Sequence, residues 1–174
     1  MKRLSMLVPL ALLASHGAAG AAEIFTGLHV HDVKTGITAT GFEEGVDFQL
    51  GFRGDPIRAL SVIGAPSPYV FASVAGDEGA DFLAAGISWK IGGQVYVRPG
   101  VGVAIHDGPS RLDPGEQRID FGSRLLFEPE IALGVQASER ISVEASWVHL
   151  SHGTLFGGNN PGMDNIGVRL NYRF

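Results

Sequence analysis

ISVEASWVHLSHGTLFGGNNPGMDNIGVRLNYRF, residues 141–174, is the stretch in which the fold of this chain can be read most directly. Ile141, Val143, Ala145 and Trp147 alternate with Ser142, Glu144 and Ser146. Beyond a loop rich in glycine and asparagine, Ile166, Val168, Leu170, Tyr172 and Phe174 alternate with Gly167, Arg169, Asn171 and Arg173. Alternation of period two over this length predicts two strands, each with an apolar and a polar face, joined as a hairpin. Continuing the apolar parity past Trp147 brings His149 and Ser151 onto that face. Running the second strand's apolar parity back from Ile166 adds Asp164. A histidine, a serine and a carboxylate therefore fall where the pattern calls for hydrocarbon, near one end of one hairpin.

The same rhythm runs through the rest of the chain. Apolar parities are carried by Ile24, Leu28 and Val30; by Val46, Phe48, Leu50 and Phe52; by Leu83, Ile87, Trp89 and Ile91; by Val95, Val97, Val101, Val103 and Ile105; and by Leu125, Phe127, Ile131, Leu133 and Val135. Tyr69 to Ala75 is strand-like but apolar on both parities, so its faces stay unassigned. With the terminal hairpin the count is eight. Turn signals such as Lys34-Thr35-Gly36, Gly54-Asp55-Pro56, Gly92-Gly93 and Ala137-Ser138-Glu139 separate the strands. Pro99 and Pro129 predict weakened strands or bulges. The connection from Asp55 to Pro68 is long enough to hold a short extra element.

At 174 residues the chain suits one domain. Lys2 and Arg3, the apolar run Leu4–Ala14 and the small residues Ala19-Gly20-Ala21 form the three regions of a secretory signal peptide. Residues 1–21 are the expected leader and 22–174 the mature domain. Without Lys2 and Arg3, 11 of the 13 basic residues remain against 18 acidic ones. That acidic balance, with no basic cluster, argues against nucleic acid as a partner. There is no cysteine, so disulfides and thiolate metal sites are excluded. No cofactor or metal is expected. His29 and His31 share a strand face but lack a third ligand, and a structural role is expected for both.

An exported, glycine-rich chain of alternating strands is either a soluble sandwich or an outer-membrane barrel, and both give this alternation. The even strand count and the aromatic residues Trp89 and Tyr172 at strand ends favour the barrel, and the final strand, with Tyr172 and Phe174, resembles the C-terminal signal of outer-membrane proteins. The expected fold is all-β, an eight-stranded antiparallel transmembrane β-barrel crossing the bacterial outer membrane several times. Asp47, Arg53, Arg98, Glu128, Glu130, Glu144, Arg169 and Arg173 occupy the parity opposite the apolar residues and so face the lumen. Eight strands leave no pore, because side chains fill the interior. The lumen charges are expected to neutralise one another, with Glu128 or Glu130 as the partner of Arg98.

In such a barrel His149, Ser151 and Asp164 lie on the lipid-facing wall. Residues two apart on a strand are roughly 6.5–7 Å apart at Cα, within reach of a histidine–serine hydrogen bond. A serine needs a base to take its proton, and a carboxylate fixes the imidazole tautomer. A bare His-x-Ser carries little weight, but unpaired polar groups in hydrocarbon cost several kcal/mol each. His149-Leu150-Ser151-His152, followed by Asn160-Pro161-Gly162-Met163-Asp164, resembles the PagL-type lipid A 3-O-deacylases of Gram-negative outer membranes. The resemblance implies a serine esterase in which Ser151 is the nucleophile, His149 the base and Asp164 the acid. It implies lipid A of the outer leaflet as substrate and release of an ester-linked 3-hydroxyacyl chain from its 3-position.

The chain departs from the family in two places. The family's acid is typically glutamate, whereas Asp164 is one methylene shorter and one position later. The family usually has asparagine, supporting the oxyanion, directly after the serine; here that position is His152. Backbone N–H groups near Gly153, or the amides of Asn159 and Asn160, are the expected substitutes. Expected partners besides lipid A are the outer-membrane assembly machinery, through the C-terminal strand, and a second copy of the chain in a homodimer. The alternative function is a non-catalytic small barrel with a structural or partner-binding role.

Overall fold

In the computed structural model the described residues are 22–38, 42–76, 79–109, 118–155 and 160–174. The expected leader and Asn159 lie outside them. Among the described residues the strands are β1 (Glu23–Val30), β2 (Val46–Arg53), β3 (Ser67–Ala75), β4 (Phe82–Ser88), β5 (Ile91–Gly92), β6 (Val95–His106), β7 (Leu125–Gln136), β8 (Ile141–Leu150) and β9 (Met163–Arg173). Every neighbour is antiparallel, β1 pairs with β9, and β4 pairs with β6. The sheet therefore closes on itself. β5 is a two-residue piece that pairs with β6 beyond the Trp89-Lys90 interruption, so the barrel wall has eight strands.

Side chains alternate strictly across the wall. On β7 and β8 the parity of Ile131, Leu133, Ile141 and Val143 is exposed and the parity of Glu128, Glu130, Ser142 and Glu144 is buried. Leu28, Val97, Ile131, Leu133, Val143, Val168 and Leu170 all face outward. A continuous apolar belt of this kind on a water-soluble surface would be an aggregation site; around a closed barrel it matches the hydrocarbon of a bilayer. No helix among the described residues is long and apolar enough to cross a membrane, which says nothing about crossing by strands.

The interior is polar around one aromatic cluster. Arg98 meets Glu144 at 2.8 Å and Glu23 at 3.0 Å, Arg53 meets Glu23 at 2.8 Å, and Arg169 meets Glu130 at 2.6 Å. Glu128 accepts the Tyr69 hydroxyl. The expected pairing of Arg98 with Glu128 or Glu130 is thus replaced by another. Register explains the exchange: Glu128 and Glu130 stand opposite Gly102 and Gly100. With no side chain there, both carboxylates lean across β6, and a Cβ on Gly100 would lie 2.7 Å from Glu130 Cγ. Arg98 turns instead toward β8 and β1.

Tyr69, Phe71 and Ser73 point inward and Val74 outward, which settles the faces of β3. Its two apolar parities arise because Phe71 packs in the lumen with Phe25 and Phe82, at centroid separations of 5.9 and 5.7 Å. The Arg169 guanidinium lies 5.0 Å from the rings of both Phe25 and Phe71. The two prolines produce no bulge, since the β6–β7 register runs unbroken through Pro99 and Pro129. Pro99 O accepts Trp89 N–H. In an antiparallel ladder a residue's N–H and C=O point the same way, so the donor that Pro99 lacks falls at the interruption between β4 and β5. The connection after β2 does hold an extra element, a 3-10 helix Arg58–Ile63, whose last carbonyl accepts Trp89 Nε1–H at 2.7 Å.

The ends of the barrel differ. The connections 89–94, 137–140 and the longer 54–66 lie at the end that carries Glu23 and Arg173, while the short 76–81 and the three connections 31–45, 107–124 and 151–162 belong to the other. Outer-membrane barrels have short periplasmic turns and longer exterior loops. The His149 end is therefore the outer one.

Candidate active site

β8 and β9 pair in register, with Trp147 opposite Ile166 and His149 opposite Asp164. The registration places the imidazole and the carboxylate side by side on the outer wall. His149 Nδ1 lies 2.7 Å from Asp164 Oδ1, and His149 Nε2 lies 3.0 Å from Ser151 Oγ. An ionised carboxylate only accepts, so Nδ1 carries the proton and donates to Asp164. Nε2 is left as the acceptor for the serine hydroxyl.

Ser151 lies just past the end of β8 but is not loose. Its N–H donates to Phe127 O at 3.2 Å, and its carbonyl accepts Phe127 N–H at 2.7 Å. Asp164 is fully buried although it has the same parity as Ile166 and Val168, which are 40% and 54% exposed. The connection between β1 and β2 covers it. Thr35 Oγ1 donates to Asp164 Oδ2, Thr38 Oγ1 reaches the same oxygen at 3.1 Å, and Val33 N–H donates to Asp164 O at 2.7 Å. Gly162, at φ +71°, lets the returning chain pass beside the imidazole; a Cβ there would lie 3.1 Å from His149 Cε1.

The supporting residues expected from sequence divide. His152 is fully buried, and its N–H donates to Asn160 Oδ1 at 3.0 Å. Gly153 is exposed at φ +58°. Asn160 is drawn in beside the serine through the His152 N–H, which leaves its amide nitrogen to point elsewhere. Thr35 and Thr38 were missed, and Gly162 was read only as part of the loop element before Asp164. Lys34-Thr35-Gly36 reads only as a turn, and nothing local places a turn over a strand that lies more than a hundred residues away.

His29 and His31 do not converge on a common ligand. His29 Nε2 bonds Ser146 Oγ at 2.6 Å in the lumen, whereas His31 bonds Asp47 at 2.7 Å and Glu43 at 3.2 Å. Burial alone would lower the His31 pKa, but these two carboxylates outweigh it and raise the value to about 9.

The family model for "Lipid A 3-O-deacylase (PagL)" matches residues 76–173, more than half of the chain and all three residues of the His149 cluster. The chain belongs to the PagL lipid A 3-O-deacylase family. Family membership and the closed barrel make it an outer-membrane protein and a lipid A deacylase by class. Among solved structures, the outer-membrane enzyme PagL superposes with a TM-score of 0.61 at 16% identity, covering 87% of this chain and 99% of its own. Neisserial surface protein A gives 0.58 at 8% identity, covering 91% and 100%. At these identities the likeness is one of fold. No curated protein sequence matches.

Proposed function

We propose that the protein is a serine esterase that removes the 3-hydroxyacyl chain ester-linked at the 3-position of lipid A, with Ser151 as nucleophile, His149 as base and Asp164 as acid. The observation that supports this reading is the continuous chain of hydrogen bonds from Ser151 through His149 to Asp164 on a wall that otherwise faces lipid. A structural barrel gains nothing by setting three polar side chains there. The choice of the 3-position follows family membership alone.

Ser151 Oγ attacks the ester carbonyl carbon as His149 Nε2 takes the hydroxyl proton. Asp164 stabilises the imidazolium and holds its tautomer. The tetrahedral intermediate collapses, and His149 returns the proton to the departing sugar oxygen. Water, deprotonated by the same imidazole, then cleaves the acyl-enzyme and frees the fatty acid. The N–H groups of Ser151 and His152 are both committed to other acceptors. Gly153 N–H and the Asn160 amide are therefore the donors assigned to the oxyanion, with His152 supporting the loop rather than the charge. Below the triad, an apolar groove lined by Val97, Ile131, Leu133, Ala145, Trp147 and Ile166 continues down the same wall. It offers an acyl chain an apolar bed on the wall that carries the triad.

The test is mass spectrometry of lipid A from cells expressing the wild type or Ser151→Ala. Loss of one 3-hydroxyacyl mass only with the wild type is expected. Unchanged lipid A in both, with the barrel folded in the outer membrane, refutes the reading. The leader 1–21, insertion by the assembly machinery through β9 and a homodimer in the membrane belong to the same proposal. N-terminal sequencing of the mature protein, assembly of a variant lacking Phe174, and crosslinking in the membrane check these three in turn.

A further inference from the structure

Asp164 poses a physical problem that the triad alone does not solve. A carboxylate has two oxygens, and His149 uses one of them. The other would lie against hydrocarbon on the outer wall, where an unpaired acceptor is costly and a carboxyl group escapes the cost by taking a proton. A protonated Asp164 could no longer stabilise an imidazolium. A rotated one would present the wrong oxygen to Nδ1.

We propose that Thr35 and Thr38 are positioning residues that clamp Oδ2 of Asp164 from the β1–β2 connection, keeping the carboxylate ionised and its Oδ1 aimed at His149; the inference rests on the reading of Asp164 as the acid of the triad. Both hydroxyls reach the same oxygen, at 3.1 Å for Thr38. Thr38 is also 3.4 Å from Val33 O. Its single proton goes to the nearer, charged acceptor, because hydrogen bonds to ionised groups are the stronger ones. The clamp is itself braced. Ile37 N–H donates to Thr35 Oγ1, Thr35 N–H donates to Thr38 Oγ1, and Val33 N–H is fixed to the Asp164 carbonyl. The threonine methyls suit the setting, and a Cβ on Gly162 would lie 3.2 Å from Thr38 Cγ2. Thr35 and Thr38 precede the residues matched by the family model, 76–173. The acid is thus supplied by β9 and its support by the other side of the barrel's closing seam.

The experiment uses the full-length barrel refolded in detergent. Thr35→Val and Thr38→Val keep the shape and remove the hydroxyl, and Thr→Ser at both positions restores it. Two readouts are taken: the rate at which a fluorophosphonate probe labels Ser151, which needs no lipid A, and release of 3-hydroxy acid from lipid A. The double valine variant should lose up to about 10²-fold in kcat and in labelling rate with KM little changed, the scale set by a small misplacement of a catalytic group. The double serine variant should recover most of both rates. In an Asp164→Asn background the valine changes should cost nothing further, because residues acting through one group are not additive. A general loosening of the fold would instead cost the same in either background and lower the unfolding temperature.

A double valine variant that labels and turns over like the wild type overturns the clamp. So does an equal loss in both backgrounds. A wild type that labels at Ser151 but releases nothing from lipid A fails the substrate reading while the labelling rates still decide the clamp. A wild type that never labels overturns both.

Discussion

Among the described residues the barrel holds two pairs in which a histidine ring meets a serine hydroxyl, and their surroundings differ. On the outer wall His149 Nε2 faces Ser151 Oγ at 3.0 Å; in the lumen His29 Nε2 faces Ser146 Oγ at 2.6 Å. The outer histidine has Asp164 on its second nitrogen, while His29 Nδ1 has no hydrogen-bond partner among the described residues. The stem of Arg169 lies on the other side of Gly27: a Cβ there would lie 2.9 Å from both Arg169 Cγ and His29 Cε1. Without a carboxylate nothing fixes the His29 tautomer or stabilises the imidazolium that general-base catalysis must form. The inner pair is also sealed by closely packed strands, whereas the outer pair is half-buried and open to the membrane. A short histidine–serine contact is therefore not a nucleophile. The carboxylate and the access make it one.

The largest expected effect separates the two pairs directly. Ser151→Ala should abolish release of 3-hydroxy acid while the barrel still folds. Ser146→Ala should leave kcat within a few-fold and cost about 1–3 kcal/mol of stability for the buried nitrogen it strands. Equal losses of activity in both variants would break the comparison. Asp164→Asn should come next, at up to about 10⁴-fold in kcat, since the shape survives and the tautomer control does not. A smaller cost, comparable to that of a lumen variant, would mean that the carboxylate is only packing.

Glu144→Ala tests the lumen on its own terms. It removes one of the two carboxylates on Arg98 and should cost about 3–5 kcal/mol, the usual result of breaking a buried pair from one side. Thermal unfolding in detergent should show the loss, with activity retained at low temperature. Gly162→Ala should slow turnover about tenfold, because it adds backbone strain at φ +71° and crowds the His149 ring. The parallel change Gly153→Ala adds similar strain at φ +58° but has open space around its Cβ, so it should lose less.

The smallest effect concerns pH at the outer rim. His31 has its folded pKa raised to about 9 by Asp47 and Glu43. The stability this contributes is fully present below its ordinary pKa near 6.5 and is lost as pH rises through about 9. The unfolding temperature of the wild type should fall between pH 7 and 10 more than that of His31→Gln. An identical pH slope in the two proteins would remove His31 from the account of rim stability.

Much of this molecule was legible from one dimension. Period-two alternation gave eight strands and set Arg98, Glu128, Glu144 and Arg169 on one face, since the side-chain period of a strand is fixed by its backbone. The same parity carried His149, Ser151 and Asp164 onto one wall, because a hairpin's register is local. The faces of Tyr69–Ala75 were not legible, since Phe71 is apolar yet packs inside among arginines. Nor was the partner of Arg98, which depends on Gly100 and Gly102 making room for acids of β7. The cover over Asp164 was furthest from view. Thr35 and Thr38 reach it only because β1 closes the barrel against β9, and closure joins residues whose separation in sequence carries no periodic signal. Alternation alone fixes which face a side chain takes. Only the closed sheet decides which distant side chains share that face and hold the acid in place.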